Sequence, residues 1–228
     1  MEDEGVLYVI ATPIGNLEDI TLRAIKILKE VDIILCEDTR VCLRLLNSVG
    51  VQAKKLERYD EHVEEKKIPE IVSHLKLGKR IALVSNAGTP TISDPGFRLV
   101  RRLREEGIRV LPIPGPSAVI SALSVSGLPT DRFVFYGFLP RKEGKRKKLM
   151  ESWQDECKTI IFYESPERIK RTLEELKSFE KLNERFIFIA REMTKIFEEY
   201  VFCRLSSLEV EKIKPRGEFV VILEGKNE

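Results

Sequence analysis

Apolar and polar residues alternate in blocks along the first half of the chain, and the blocks switch between two periods. Val6-Leu7-Tyr8-Val9-Ile10 is a continuous apolar run that ends just before the turn-formers Pro13 and Gly15. A short unbroken run with such a boundary predicts a strand buried on both faces of a parallel sheet. Ile20, Ala24, Ile27 and Leu28 follow at helical spacing and predict an amphipathic helix, with Asp19 or Thr21 available as its N-cap. The alternation continues with strands over 33–36, 80–85 and 109–113 and helices over 41–49, 69–77 and 97–106, the helices stopped in turn by Gly50, Gly78 and Gly107. Repeated strand–helix units predict a parallel sheet with helices on both faces.

Pro112-Ile113-Pro114-Gly115-Pro116 breaks this rhythm. Three prolines fix φ and remove backbone donors, so regular structure stops there. The expected division is an N-terminal α/β domain over 1–114 and a C-terminal α/β domain over 115–228. Beyond it the pattern predicts a helix over 117–126, strands over 133–136, 159–163, 186–190, 199–204 and 218–223, and a helix over 166–178 with Pro166 in its first turn. The later strands follow one another with little helix between them, which predicts a mixed or antiparallel sheet. The fold class is therefore α/β in two domains, the first mostly parallel and the second mixed. No internal repeat is visible.

Composition narrows the function classes. A chain of 228 residues with 43% hydrophobic content carries enough core for these two domains and is not a disordered class. Met1-Glu2-Asp3-Glu4-Gly5 is acidic and lacks the basic and apolar regions of a signal peptide, and runs such as Ile33-Ile34-Leu35-Cys36 are too short to span a bilayer. A soluble cytoplasmic protein is expected. The cysteines Cys36, Cys42, Cys157 and Cys203 form no CxxC pair, and His62 and His74 are the only histidines. Reduced structural thiols are expected, and no metal. The net charge of +2 says little about partners.

Several nucleotide-site signatures are absent. No GxGxxG follows the first strand, and neither GxxxxGK[ST] nor GxSxG occurs. What remains is three turns of small residues, each just past a strand: Thr12-Pro13-Ile14-Gly15-Asn16, Ser85-Asn86-Ala87-Gly88-Thr89-Pro90 and Pro114-Gly115-Pro116-Ser117-Ala118. Any one of them reads as a tight turn with nothing bound. Three at the carboxyl edge of one sheet point to a ligand cleft, where small residues let a ligand approach backbone N–H and C=O groups.

At these residues the chain resembles a known family. "ATPIGNLEDIT", "CEDTR", "RIALVSNAGTPTISDPG", "PIPGPSAVISALSVSGLPTDRFVFYGFLPRK", "IIFYESPERI", "AREMTK" and "RGEFVVILEG" occur in order over nearly the whole length. They are similar to the bacterial small-subunit ribosomal RNA 2′-O-cytidine methyltransferases of the tetrapyrrole methylase superfamily. The resemblance implies a homodimer of two α/β domains, with S-adenosylmethionine held between the domains. It implies methylation of the ribose 2′-hydroxyl of a decoding-centre cytidine, on small-subunit ribosomal RNA or the assembled subunit. Carried over by motif, the cofactor positions are Pro13, Ala87, Gly88, Thr89, Ser117 and Ala118, with Tyr163, Ala190 and Gly217 from the second domain. Two departures stand out. The family usually has Asp where this chain has Asn86, and only His62 remains of a histidine-rich stretch.

A ribose hydroxyl is a weak nucleophile, so a base beside it is expected. Glu37, Asp38 and Arg40 lie just past the second strand and are the candidate catalytic residues, two carboxylates to hold or deprotonate the hydroxyl and a guanidinium to pair a phosphate. The same segment also reads as a helix N-terminus capped by Asp38 or Thr39, and both readings stand. Glu164 and Glu192 are weaker candidates. For RNA, Arg141, Lys142, Lys145, Arg146, Lys147 and Lys148 form a basic run beside Gly144. Alone it reads as a solvated helix start; with the family resemblance it reads as a mobile loop that tracks phosphates. Phe138 beside it is a candidate base-stacking ring, or core. Two other functions remain in view: the same fold methylating a tetrapyrrole or another small molecule, and a non-catalytic S-adenosylmethionine-binding RNA protein.

Overall fold

In the computed structural model, which describes residues 5–226, the first apolar run forms β1 (Val6–Ile10). The acidic residues Met1–Glu4, on which the expectation of no signal peptide partly rests, lie outside the described residues. The first unit continues with α1 (Leu22–Glu30), β2 (Ile33–Cys36), α2 (Thr39–Ser48), β3 (Leu56–Arg58), α3 (Glu64–Lys76), β4 (Arg80–Val84), α4 (Phe97–Glu105) and β5 (Arg109–Ile113). Its strands lie in the order β3-β2-β4-β1-β5 and pair in parallel throughout. Parallel crossovers are right-handed, so reversing direction along the sheet moves the connecting helix to the other face. Accordingly Ala24 and Leu28 of α1 and Cys42 and Leu46 of α2 pack with Tyr8, Ile10 and Ile34. Ile71 and Leu75 of α3 and Leu99 and Leu103 of α4 pack with Leu7, Leu35 and Ile81 on the opposite side. Alternate residues of the central strands β1, β2 and β4 serve opposite cores, which is why the chain is apolar without a break over Val6–Ile10, Ile33–Cys36 and 81–84.

Two elements differ from expectation. Strand β3 contains one apolar residue, Leu56, and has no pattern to announce it; it is an edge strand, paired only with β2. Helix α3 begins at Glu64, and Pro69 lies inside it instead of opening it. The missing proline donor costs one helical bond, but Ile71, Val72 and Leu75 bury the helix against the sheet.

The second unit holds α5 (Ala118–Val125), β6 (Phe133–Phe138), α6 (Glu143–Ser152), β7 (Thr159–Glu164), α7 (Ile169–Lys177), α8 (Glu180–Asn183), β8 (Phe186–Arg191), β9 (Glu199–Arg204) and β10 (Phe219–Leu223). The strand order is β6-β7-β10-β8-β9; only β6 and β7 are parallel, so the sheet is mixed. One face carries the core: Phe162, Ile187, Ile189 and Val221 pack against Met150 of α6, Trp153, Leu173 and Leu176 of α7 and Leu182 of α8. The chain divides into its two compact units after Ser117, three residues beyond the boundary expected at 114. The reason is local, since the Pro116 carbonyl is held by the Thr89 hydroxyl at 3.1 Å and so belongs to the first unit. All four cysteines are free thiols. Among the described residues no helix is long and apolar enough to cross a membrane.

Candidate functional site

Strand β1 lies between β4 and β5, so its carboxyl end delivers the first small-residue turn between the other two. The backbones interlock. Thr12 N donates to Gly88 O at 2.9 Å and Gly88 N to Thr12 O at 3.0 Å. The Thr12 hydroxyl reaches Ser85 O at 3.2 Å, and Ala11 N reaches Ile113 O at 3.3 Å. Gly88 has φ +78, and a Cβ there would lie 3.4 Å from Ile14 Cγ2 and 3.9 Å from Pro116 O. Glycine is therefore favoured by backbone conformation at the point where the three turns meet. Thr12, Pro13 and Gly88 are buried, whereas Asn86 and Ala87 are exposed and Thr89 and Ser117 half-buried. Of the expected cofactor residues, the structure brings Pro13, Ala87, Gly88, Thr89 and Ser117 to this one edge.

Beside this edge, past the ends of β2 and β4, lies an open cavity of about 380 Å³ lined by Glu37, Asp38, Arg58, Asp60, Glu61, His62, Asn86, Ser93, Asp94 and Pro95. Its carboxylates are not equivalent. Asp38 is the N-cap of α2: its Oδ1 accepts from Arg40 N at 2.8 Å and its Oδ2 from Arg40 Nη2 at 2.8 Å. The Arg40 side-chain bonds, with the backbone N–H, hold Asp38 far below the usual carboxylate range. Both partners of this pair are committed to each other, as the helix-start reading expected, and the Arg40 side chain is 86% exposed. Asp60 is likewise taken: burial opposes its charge, but the Arg58 guanidinium and the His62 N–H outweigh it and lower its pKa.

Glu37 and Asp94 behave oppositely. Burial raises Glu37, against an N–H bond from Asn86, and the charges of Asp60 and Glu61 raise it further. Burial pushes Asp94 up to about 6, with the Glu37 charge adding to the rise and a Ser85 hydroxyl bond opposing it. Two carboxyls facing each other in a half-buried cavity suit proton acceptance near neutral pH. Asp94 was not among the residues the sequence singled out. No motif marks it; it sits in a loop where Thr91 and Ser93 hold φ of 74 and 64, unusual for non-glycine residues. Among the described residues no group of His, Cys, Asp or Glu could hold a metal.

Two of the second-unit candidates fall in one register. Tyr163 of β7 and Ala190 of β8 flank Val220 of β10. Tyr163 packs on Phe135 and Phe138 with ring centroids 4.9 and 5.5 Å apart, and Phe138 is 57% exposed. Ala118 opens α5. Gly217 has φ +89, and the Glu192 side chain occupies the place of its Cβ, with Cγ 2.4 Å away. Glu192 in turn accepts from Lys195 Nζ at 2.8 Å and Glu218 N at 3.0 Å. Gly217→Ala is expected to lower unfolding stability by about 1–2 kcal/mol from the left-handed backbone alone; a urea midpoint equal to wild type would contradict this. Glu164 is buried and committed to the Thr172 hydroxyl at 2.7 Å and to Arg168 at 2.6 Å.

The basic run corrects two expectations. It is not a mobile loop but the start of α6, with Lys142 at the N-cap. Arg146 is not an RNA contact: its side chain is 2% exposed and pairs bidentately with Glu175, both N···O distances being 2.6 Å. Lys147 is exposed but pairs with Glu143 at 2.9 Å. Arg141, Lys142, Lys145 and Lys148 are exposed and form no ion pair among the described residues.

Known proteins match this architecture. The profile of the Tetrapyrrole (Corrin/Porphyrin) Methylases covers residues 6–209. The "Ribosomal RNA small subunit methyltransferase I" of Thermotoga maritima is 49% identical over 97% of this chain and 99% of its own length. The protein of the same name from Halalkalibacterium halodurans is 46% identical over 100% of this chain and 78% of its own. Among solved structures, uroporphyrin-III C-methyltransferase from Thermus thermophilus, complexed with S-adenosylhomocysteine, superposes with a TM-score of 0.63 at 23% identity over 96% of both chains.

Proposed function

The chain belongs to the tetrapyrrole (corrin/porphyrin) methylase family, and from that premise we propose that it moves a methyl group from S-adenosylmethionine to the 2′-hydroxyl of a cytidine in the decoding centre of small-subunit ribosomal RNA. One observation carries the reading. The turn Ser85-Asn86-Ala87-Gly88-Thr89-Pro90 builds both halves of the site: Gly88 bonds Thr12 in the cradle, while Asn86 lines the carboxylate cavity with Glu37 and Asp94.

The cradle fits the cofactor because its floor is interlocked backbone, centred on a glycine whose left-handed conformation side-chain-bearing residues rarely adopt. Pro13, Ala87, Gly88, Thr89 and Ser117 hold it. When bound, S-adenosylmethionine supplies a methyl carbon on a positively charged sulfur, open to in-line displacement. The chain's residues position the ribose oxygen and take its proton. Asp94 accepts that proton at a carboxylate oxygen, and Glu37 sets its affinity for it. Asp38 lines the cavity and, held by Arg40, caps the start of α2.

The exposed cations at 141, 142, 145 and 148, which form no ion pair among the described residues, suit the phosphates of RNA, and the names of the relatives favour RNA over a tetrapyrrole as acceptor. The reading includes a homodimer, for which light scattering is expected to give twice the 26.3 kDa chain mass, acting in the cytoplasm where its substrate is assembled. The test offers labelled S-adenosylmethionine with small ribosomal subunits and, separately, with uroporphyrinogen. Label in RNA is expected; label in the tetrapyrrole alone, or in neither while S-adenosylhomocysteine still binds, would overturn the reading.

A further inference from the structure

Arg146 does more than fill the second core. Its guanidinium holds Glu175 of α7 through two bonds of 2.6 Å and also donates to Pro140 O at 3.1 Å and Arg141 O at 3.2 Å. Those two carbonyls belong to the segment that leads into α6. Glu175 takes a further bond from Arg171 at 3.1 Å, and Arg171 also pairs with Glu143 in the first turn of α6. The start of α6 is thus clamped to α7 from inside and outside, while Met150 anchors its far end in the core. Outward from this clamp, Lys145 and Lys148 lie three residues apart on α6, and Arg141 and Lys142 are exposed in the segment just before it, next to the carbonyls that Arg146 holds.

A buried ion pair adds little net stability compared with apolar side chains of similar volume, because desolvation offsets the attraction. What a planar, five-donor fork supplies is fixed geometry. We propose that the Arg146–Glu175 pair is a positioning device that holds Arg141, Lys142, Lys145 and Lys148 as one rigid phosphate-binding face for RNA. This rests on the RNA methyltransferase reading. A flexible basic loop would order its side chains on binding and lose affinity to that ordering; a helix clamped beforehand does not.

Four proteins separate the alternatives, each measured for affinity to small ribosomal subunits as a function of salt and for S-adenosylhomocysteine affinity by calorimetry. In Arg146→Met/Glu175→Met the pair becomes apolar at similar volume. RNA affinity is expected to fall roughly five- to eightfold at ~0.1 M salt for each phosphate that the face no longer neutralises, with the salt slope reduced by about 0.7–0.9 per phosphate. Cofactor affinity is expected to stay at the wild-type value. Arg146→Lys keeps a charge for Glu175 but not the fork that reaches both carbonyls, and is expected to show the same weakening; it decides the matter if the double variant does not fold. Lys145→Ala/Lys148→Ala, compared with wild type, tests the face itself. If this variant loses RNA affinity while both Arg146 variants keep wild-type affinity and slope, the pair is merely structural and the positioning proposal falls alone. If the lysine variant binds RNA like wild type, the face is not the RNA surface and the proposal falls with it.

Discussion

Asp94→Asn is expected to slow methyl transfer by about 10²–10⁴-fold, the usual contribution of a positioned general base, with S-adenosylhomocysteine bound at wild-type affinity. Asparagine preserves the shape of the side chain but cannot take a proton from the ribose hydroxyl. The pH profile gives an independent signature. Asp94 is pushed up to about 6 by burial and by the Glu37 charge, so below that pH it carries a proton already and the rate falls as pH drops through about 6. Glu37→Gln removes the neighbouring charge, lowers the Asp94 pKa and moves this acid limb to lower pH. Wild-type turnover in Asp94→Asn, or an acid limb unmoved in Glu37→Gln, would remove the pair from the mechanism.

Arg146→Ala is expected to cost about 3–5 kcal/mol of unfolding free energy, the penalty for leaving one charge of a buried pair without its partner. The truncation strands Glu175, whose side chain is 8% exposed, and releases the Pro140 and Arg141 carbonyls. Domains are stable by only about 5–15 kcal/mol, so the second unit is expected to approach its unfolding threshold. Denaturant titration followed by Trp153 fluorescence reads this directly, because that indole is fully buried and stacks on Phe162 at 5.6 Å in the same core. A destabilisation below about 1 kcal/mol would place the pair among ordinary surface bridges.

Much of the framework was legible as pattern. Central parallel strands buried on both sides leave unbroken apolar runs, and β1 and β2 fall where those runs fall. Amphipathic spacing located α1, and the Thr21 hydroxyl caps it by accepting from Ala24 N at 3.1 Å. Edge strand β3 left no run because burial asks little of its side chains. The site was legible where it is made of backbone. Small residues after three strands pointed to one edge, and the interlocked bonds of Thr12, Gly88 and Thr89 lie there.

The carboxylates were harder, because a sequence shows residue type but not commitment. Asp38 and Glu37 are adjacent, yet one is used up by a cap and its arginine while the other faces the cavity. Asp94 meets Glu37 only because the sheet order sets β4 beside β2. Arg146 carries the same lesson: within a run of cations it looks like its neighbours, and only a glutamate 29 residues away makes it core. At Asn86, where the family resemblance leads one to expect Asp, it is the backbone N–H that acts on Glu37 and the residue is exposed, so this contact does not depend on a side-chain charge.

The most direct measurement is the chemistry of the product. Small ribosomal subunits lacking the modification are incubated with the protein and labelled S-adenosylmethionine, and the RNA is then hydrolysed in alkali. A 2′-O-methyl group blocks cleavage at its own phosphate, so the label is expected in an alkali-stable dinucleotide that yields 2′-O-methylcytidine. Label recovered on a base, in mononucleotides cleaved normally, or absent from RNA would contradict the account.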